Sequence, residues 1–269
     1  MTILIGWIGV DSRSPCSAYL MSDSCISWNK PPKKYDYGKK LFALENSPDI
    51  FGFCGDVLFP SQVLSQITDL DRSRVLFPTR INSDSRSSVI VRLLNTHIQR
   101  YPSIIQAKTS IYHLSRGDGS TFYAYKYCYD YAARKWKADI ISTDYSKSKL
   151  IICDGSGADL FFEKYTHYQC GDISNTSRNV YQCFCASLKS GLLPGCGVPP
   201  QLVGLYRGQK YNSMVFGSIY ENKRYLSGSP TQDLDDYNSV RWYNENFEIC
   251  DGNNLKKYPT AMRQPNPNL

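Results

Sequence analysis

The chain has 269 residues, 42% of them hydrophobic and 20% charged. This globular composition excludes disordered and fibrous classes and is long enough to bury a core. The net charge of +7, from 31 basic and 24 acidic residues, is too dilute to mark a nucleic-acid binder. Strand-like runs open the chain over 2–9, 18–25, 41–44 and 50–54, with a turn at 11–14 and breaks at Pro31-Pro32 and Gly38. After Pro60, Val63, Leu64, Ile67 and Leu70 share one helical face, with Ser61 as the expected N-cap. A second helix carries Val89, Ile90, Leu93, Leu94 and Ile98 and stops by Pro102. Strands return over 111–115, 121–131, 136–143 and 149–153, the first two joined into a hairpin by Arg116-Gly117-Asp118-Gly119. A third helix follows Asp154-Gly155-Ser156-Gly157, a fourth carries Val180, Tyr181, Phe184 and Leu188, and further strands are expected over 201–207 and 213–220.

Strands and helices therefore come in blocks rather than in alternation. Blocks argue for antiparallel sheets with helices segregated outside them, an α+β domain whose two sheets pack face to face. The apolar start, Ile3 to Val10, is far shorter than the ~20 residues of a membrane span. It also lacks the flanks of a signal peptide. Ten cysteines show no C-x-x-C spacing, and the three histidines, His97, His113 and His167, complete no zinc or iron–sulfur pattern. The expectation is a cytoplasmic protein with reduced, mostly buried thiols and no metal. Tyr123, Tyr125, Tyr127, Tyr129 and Tyr131 share one strand face. Packing on a helix or a neighbouring subunit explains such a stripe more readily than a stacking platform for nucleic acid does.

Five pieces then fall in order: Thr2; Met21-Ser22-Asp23-Ser24; Gly38-Lys39-Lys40-Leu41-Phe42-Ala43-Leu44; Phe51-Gly52-Phe53-Cys54-Gly55-Asp56; and Asp154-Gly155-Ser156-Gly157. In this order, over about residues 2–207, the chain resembles the proteasome β-subunit group of N-terminal nucleophile (Ntn) hydrolases, including the bacterial HslV-type peptidase. The resemblance implies a four-layer αββα sandwich, two antiparallel sheets with helices outside. Residues 1–207 would form its core, and 208–269 would add strands and a tail to the same domain. It further implies a threonine-type peptidase in which removal of Met1 exposes Thr2 as the nucleophile.

The residue types suit that chemistry. A threonine hydroxyl is a poor nucleophile until a base takes its proton, and a chain-terminal amine, titrating near ~7.7–8, can be that base. By the resemblance, Lys40 would keep the amine neutral, Asp23 would orient Lys40, Ser156 would complete the network, the Gly55 N–H would serve the oxyanion, and Gly52 would lie near the substrate pocket. No cofactor is implied. Other copies of the chain in a ring, an ATPase unfoldase and a peptide or protein substrate are the implied partners.

Each residue also has a plainer use: Lys40 as a strand-edge charge, Asp23 and Gly55 as turn residues, and Ser156 with Asp159 as a capping-box variant. The sequence departs from the family pattern after the fourth helix, where Leu193-Pro194-Gly195-Cys196-Gly197 carries no acid. A catalytically silent scaffolding subunit and a small-molecule Ntn amidase are therefore the alternative functions.

Overall fold

A computed structural model describes residues 2–29, 32–79, 81–102, 105, 108–118, 121–142, 146–169, 172–193, 195–208, 213–232 and 236–261. Apolar runs separated by polar turns give strands β1 (Ile3–Val10), β2 (Pro15–Ser22), β3 (Ile26–Asn29), β4 (Pro32–Tyr35), β5 (Leu41–Ala43) and β6 (Asp49–Cys54). Helices α1 (Leu58–Arg72) and α2 (Ser83–Ile98) follow. Next come β7 (Ser110–Arg116), β8 (Phe122–Asp130), β9 (Lys135–Ile140) and β10 (Lys149–Gly155), then helices α3 (Ala158–Tyr168) and α4 (Ser177–Lys189). The chain continues through β11 (Gln201–Tyr206), β12 (Met214–Tyr220), β13 (Lys223–Leu226), β14 (Ser229–Pro230), β15 (Trp242–Tyr243) and β16 (Ile249–Cys250). Among the described residues no helix is long and apolar enough to cross a membrane.

The block order matches the sequence expectation, with two differences. The flanks of the Pro31-Pro32 break, given no strands by the sequence, form the antiparallel pair β3–β4, with Ile26 opposite Tyr35; Pro31 lies outside the described residues, and proline is tolerated as the first residue of a strand, as at Pro32. Helix α1 starts ahead of Pro60, and its N-cap is Val57 rather than Ser61. Proline fits the first turn because its missing N–H is one the helix could not have bonded anyway. Ser61 instead donates its hydroxyl to Leu58 O at 3.1 Å. Side-chain caps do start α2 and α4, where Asn82 accepts from Ser85 N and Thr176 accepts from Asn179 N.

Among the described residues the architecture is mixed α/β, with antiparallel sheets and four α-helices. One sheet runs β10-β1-β2-β11-β12-β13-β14, with β15 added in parallel to β12, and a second runs β5-β6-β7-β8-β9. Strand alternation sorts the side chains of β1 to two faces. Ile3, Ile5 and Trp7 pack with Phe161 of α3 and Val180 and Phe184 of α4. Leu4 and Ile8 pack with Ile50, Tyr112 and Leu114 of the second sheet. The far face of that sheet places Phe51, Phe53 and Ile111 against Val63 and Leu64 of α1 and Ile90 and Leu94 of α2. Burial on both faces is why β1 reads as an unbroken apolar run rather than an alternating one. The tyrosine stripe follows its plainer reading at the centre: Tyr125 OH donates to Asp84 and Tyr127 OH to Ser87, both on α2.

Candidate active site

Three register pairs bring distant motifs to one end of the first sheet. Ile3 lies opposite Gly155, Leu4 opposite Ser22, and Gln201 opposite Ser22. Thr2, Asp23, Ser156 and the start of β11 therefore converge just beyond the strand ends. Gly155 has φ +103°, and a Cβ there would come 2.2 Å from Thr2 O, so only glycine allows the two backbones to approach this closely.

The cluster is built around the Lys40 ammonium, which is fully buried together with Asp23. Lys40 Nζ donates to Asp23 Oδ1 at 2.8 Å, to Cys25 O at 2.6 Å and to Thr2 Oγ1 at 3.3 Å. All three ammonium protons are thus engaged, which is what a charge removed from water requires. Asp23 also accepts from Ile3 N at 3.0 Å, Cys25 N at 3.0 Å and Gly197 N at 3.2 Å. The Thr2 backbone nitrogen donates to Ser156 Oγ at 3.2 Å. Helix α3 is capped at Gly157 with no side-chain bond, so Ser156 faces Thr2 rather than serving in a capping box. Thr2 itself is buried, with 8% of its surface exposed.

The other sequence candidates lie differently. Gly55 sits at the end of β6 with φ +102°, where a Cβ would meet Lys108 O at 2.5 Å, and it makes none of the hydrogen bonds just described. Gly52, expected beside a substrate pocket, is buried within β6. A Cβ on it would meet Leu4 Cδ1 and Leu41 Cδ2, each at 2.7 Å, so leucine methyls occupy that space. The cavity of about 400 Å³ lined by Asn46, Asp71, Arg74, Phe77 and Arg86 shares no residue with the Thr2 cluster.

Sequence reasoning missed three contributors. The Gly197 N–H joins the turn after α4 to Asp23 through backbone, where an acid was expected and is lacking. The Cys25 carbonyl takes one Lys40 proton. The Gln201 side chain, 1% exposed, contacts four groups: its two Nε2 protons are shared among Asp23 O, Ser24 Oγ and Gly38 O, and its Oε1 accepts from Lys40 N. Nearby thiols offer no rival nucleophile. Burial pushes Cys196 up to about 12, and burial with the Asp23 charge also raises Cys25, so both stay protonated at neutral pH. Among the described residues no group of three or more His, Cys, Asp or Glu is arranged to hold a metal ion.

This combination, antiparallel sheets flanked by helices with a threonine at the start of β1 and a buried lysine on its hydroxyl, defines a class of fold. No protein-family model matches the chain, and no curated protein matches it by sequence. Solved structures do. The Anbu (Gly-1) mutant from Hyphomicrobium sp. strain MC1 superposes with a TM-score of 0.53 at 11% identity, over 84% of this chain and 87% of that one. Anbu (ancestral beta-subunit) from Yersinia bercovieri gives 0.54 at 10% identity, over 80% and 86%. At these identities the likeness speaks for the fold alone, a fold shared with the Anbu structures. It corrects the family expected from the motifs: the structural likeness is to Anbu proteins, a group distinct from the HslV-type peptidases.

Proposed function

We propose that the chain is a threonine-type Ntn peptidase, acting once Met1 has been removed. The observation that carries this reading is the buried Lys40 ammonium, 3.3 Å from Thr2 Oγ1 and 2.8 Å from Asp23 Oδ1. An ammonium whose protons are all donated is no base, so the proton of the Thr2 hydroxyl goes to the freed α-amine. Lys40 keeps that amine neutral by charge repulsion and stabilises the developing alkoxide. Thr2 Oγ1 attacks the substrate carbonyl, and the resulting oxyanion is met by the Gly55 N–H. The carbon–nitrogen bond breaks as the leaving amine takes the proton from the α-amine, and an ester to Thr2 forms. Water then cleaves that ester by the same base. Ser156 orients the amine and Asp23 orients Lys40.

The finer architecture belongs to the same reading: a four-layer αββα sandwich with its core in residues 1–207, continued by 208–269 as extra strands and tail of one domain. Gly52 serves close packing of the two sheets. The partners proposed are further copies of the chain in a closed oligomer, an ATPase unfoldase and peptide substrates, in the cytoplasm.

Intact mass spectrometry after exposure to a peptide epoxyketone tests the mechanism, because this warhead needs a hydroxyl and an amine on the same terminal residue. Loss of Met1 with one adduct on Thr2 is expected, and Thr2→Ala should abolish both adduct and hydrolysis. A processed chain with no adduct would sink the mechanism and favour the catalytically silent scaffold; cleavage confined to small amides would favour the amidase.

A further inference from the structure

We infer that Gln201 is a positioning residue that sets the reach of Lys40 toward Thr2. This rests on the reading of Thr2 as the nucleophile. Lys40 does not lie on the strand that carries Thr2; it sits at the end of the 26–39 excursion, one residue ahead of β5. Its ammonium must reach back across that gap to the end of β2. Among the described residues one side chain spans the gap from the far side. Gln201, the first residue of β11, places Nε2 at 2.7 Å from Gly38 O, 2.9 Å from Ser24 Oγ and 3.2 Å from Asp23 O, three oxygens that share its two amide protons. Its Oε1 accepts from the backbone of Lys40 at 3.1 Å.

The two ends of one amide thus grip both sides of the excursion. The amide fixes the Gly38–Lys40 backbone relative to Asp23–Ser24, whose carboxylate receives the Lys40 ammonium. A direct bond from Gly38 N to Ser24 O at 2.8 Å closes the same neck, but it does not touch Lys40. Gln201 is 1% exposed, so water does not compete for these bonds. A carboxamide is also the one side-chain chemistry that can donate to several carbonyl or hydroxyl oxygens and accept from an N–H at once without charge. A lysine or arginine there would set a second cation beside Lys40, and a carboxylate would face three oxygen acceptors.

Gln201 touches neither the nucleophile nor the substrate, so its effect runs through the Lys40–Thr2 distance. Misplacement of a catalytic group by about 1 Å can cost on the order of 100-fold in rate. The test is Gln201→Met, which keeps length and volume but removes every polar contact, in the full chain after Met1 removal. With the peptide epoxyketone, the expected result is a loss of about 100-fold in the inactivation rate constant with its half-saturating concentration held within about threefold. The acid limb of the rate–pH profile should move up, because an amine further from a cation gains protons more easily.

A rate and limb equal to wild type would overturn the inference, and so would a loss that matches the unfolded fraction. In ¹³C-lysine spectra the Lys40 Cε signal, assigned by its absence from Lys40→Arg, should move toward that of solvated lysines in Gln201→Met. That signal decides the role of Gln201 even if the wild-type chain takes no epoxyketone: a shifted signal upholds the inference while the nucleophile reading falls, and an unshifted one overturns it. If Gln201→Met does not fold, Gln201→Asn, which keeps an uncharged amide one methylene too short to grip both sides of the excursion, is judged by the same measurements.

Discussion

Two buried charge clusters look alike as chemistry and differ in what surrounds them. At the end of the first sheet, Lys40 and Asp23 are sealed from water, and the Lys40 ammonium reaches the hydroxyl of Thr2. Beneath α2, Asp49 receives Arg86 Nε at 3.0 Å and pairs with His113 Nε2 at 2.7 Å, while His113 Nδ1 meets Tyr127 OH at 2.7 Å. The Arg86 guanidinium goes on to Ile81 O, Ser115 Oγ and Arg116 O. Phe51 stacks on the His113 ring, with Tyr125 and Tyr127 packed near it. A histidine held by an aspartate looks like catalytic machinery, yet here it lies wholly inside and touches no accessible nucleophile. Burial and pairing alone therefore do not mark a site. In the first cluster the charge ends on the hydroxyl of Thr2, and in the second it ends on groups inside the core.

The contrast breaks most visibly at Lys40. Lys40→Met keeps the length and removes the charge, and the rate of Thr2 acylation is expected to fall by roughly 10²–10⁴, the usual range for a group that tunes proton transfer. Epoxyketone inactivation kinetics measure it, with circular dichroism to confirm the fold. A wild-type rate in that variant would remove Lys40 from the chemistry. The converse change is Arg86→Met. It strands a buried carboxylate, which costs about 3–5 kcal/mol of stability, and urea unfolding should show that loss. Molecules that remain folded should acylate at the wild-type rate, because no bond of Arg86 leads to Thr2. A slowed reaction in the folded fraction would join the two clusters into one network.

What could be read from the sequence divides along a physical line. Features carried by local patterning were legible: the apolar run that becomes β1, the apolar stripes of α1, α2 and α4, and the β7–β8 hairpin. Thr2, Asp23, Lys40 and Ser156 were legible as well, because short motifs in order fix which strand ends meet. Features made by backbone groups or by packing across long separations were not. The Gly197 N–H that grips Asp23 has no residue-type signature, and Gln201 is one polar residue opening a strand. The leucine methyls beside Gly52 come from β1 and β5, which nothing near Gly52 announces. Pro60 was read as a boundary although a helix accepts proline in its first turn. The family was misread for a related reason: motifs of a few residues each do not separate groups that share a fold.

The mildest effect concerns acid, and it separates the two clusters by pH rather than by mutation. Burial lowers the affinity of His113 for a second proton; the Asp49 bond opposes this, Arg86 adds to it, and the net direction is down. Asp49 itself is held below the usual carboxylate range, since the His113 bond and the Arg86 charge outweigh its burial. The folded protein therefore keeps His113 neutral and Asp49 ionised. An unfolded chain would protonate that histidine near ~6.5. Below that pH the unfolded state holds more of the extra proton than the folded state, so stability must fall as pH falls, by at most about 1.4 kcal/mol per pH unit for one group. Asp49 contributes with the same sign, but only below about 4, where unfolded carboxylates titrate. Urea midpoints should thus hold between pH 8 and 7 and decline from about 6.5 toward 5. In His113→Gln that decline should vanish while the loss below about 4 stays. Acylation at Thr2 should instead follow its amine, with a limb near ~7.7–8 or lower under the Lys40 charge, unmoved by His113→Gln. A limb that shifts with His113 would show the Asp49 cluster speaking to the Thr2 cluster, and the contrast between them would have to be redrawn.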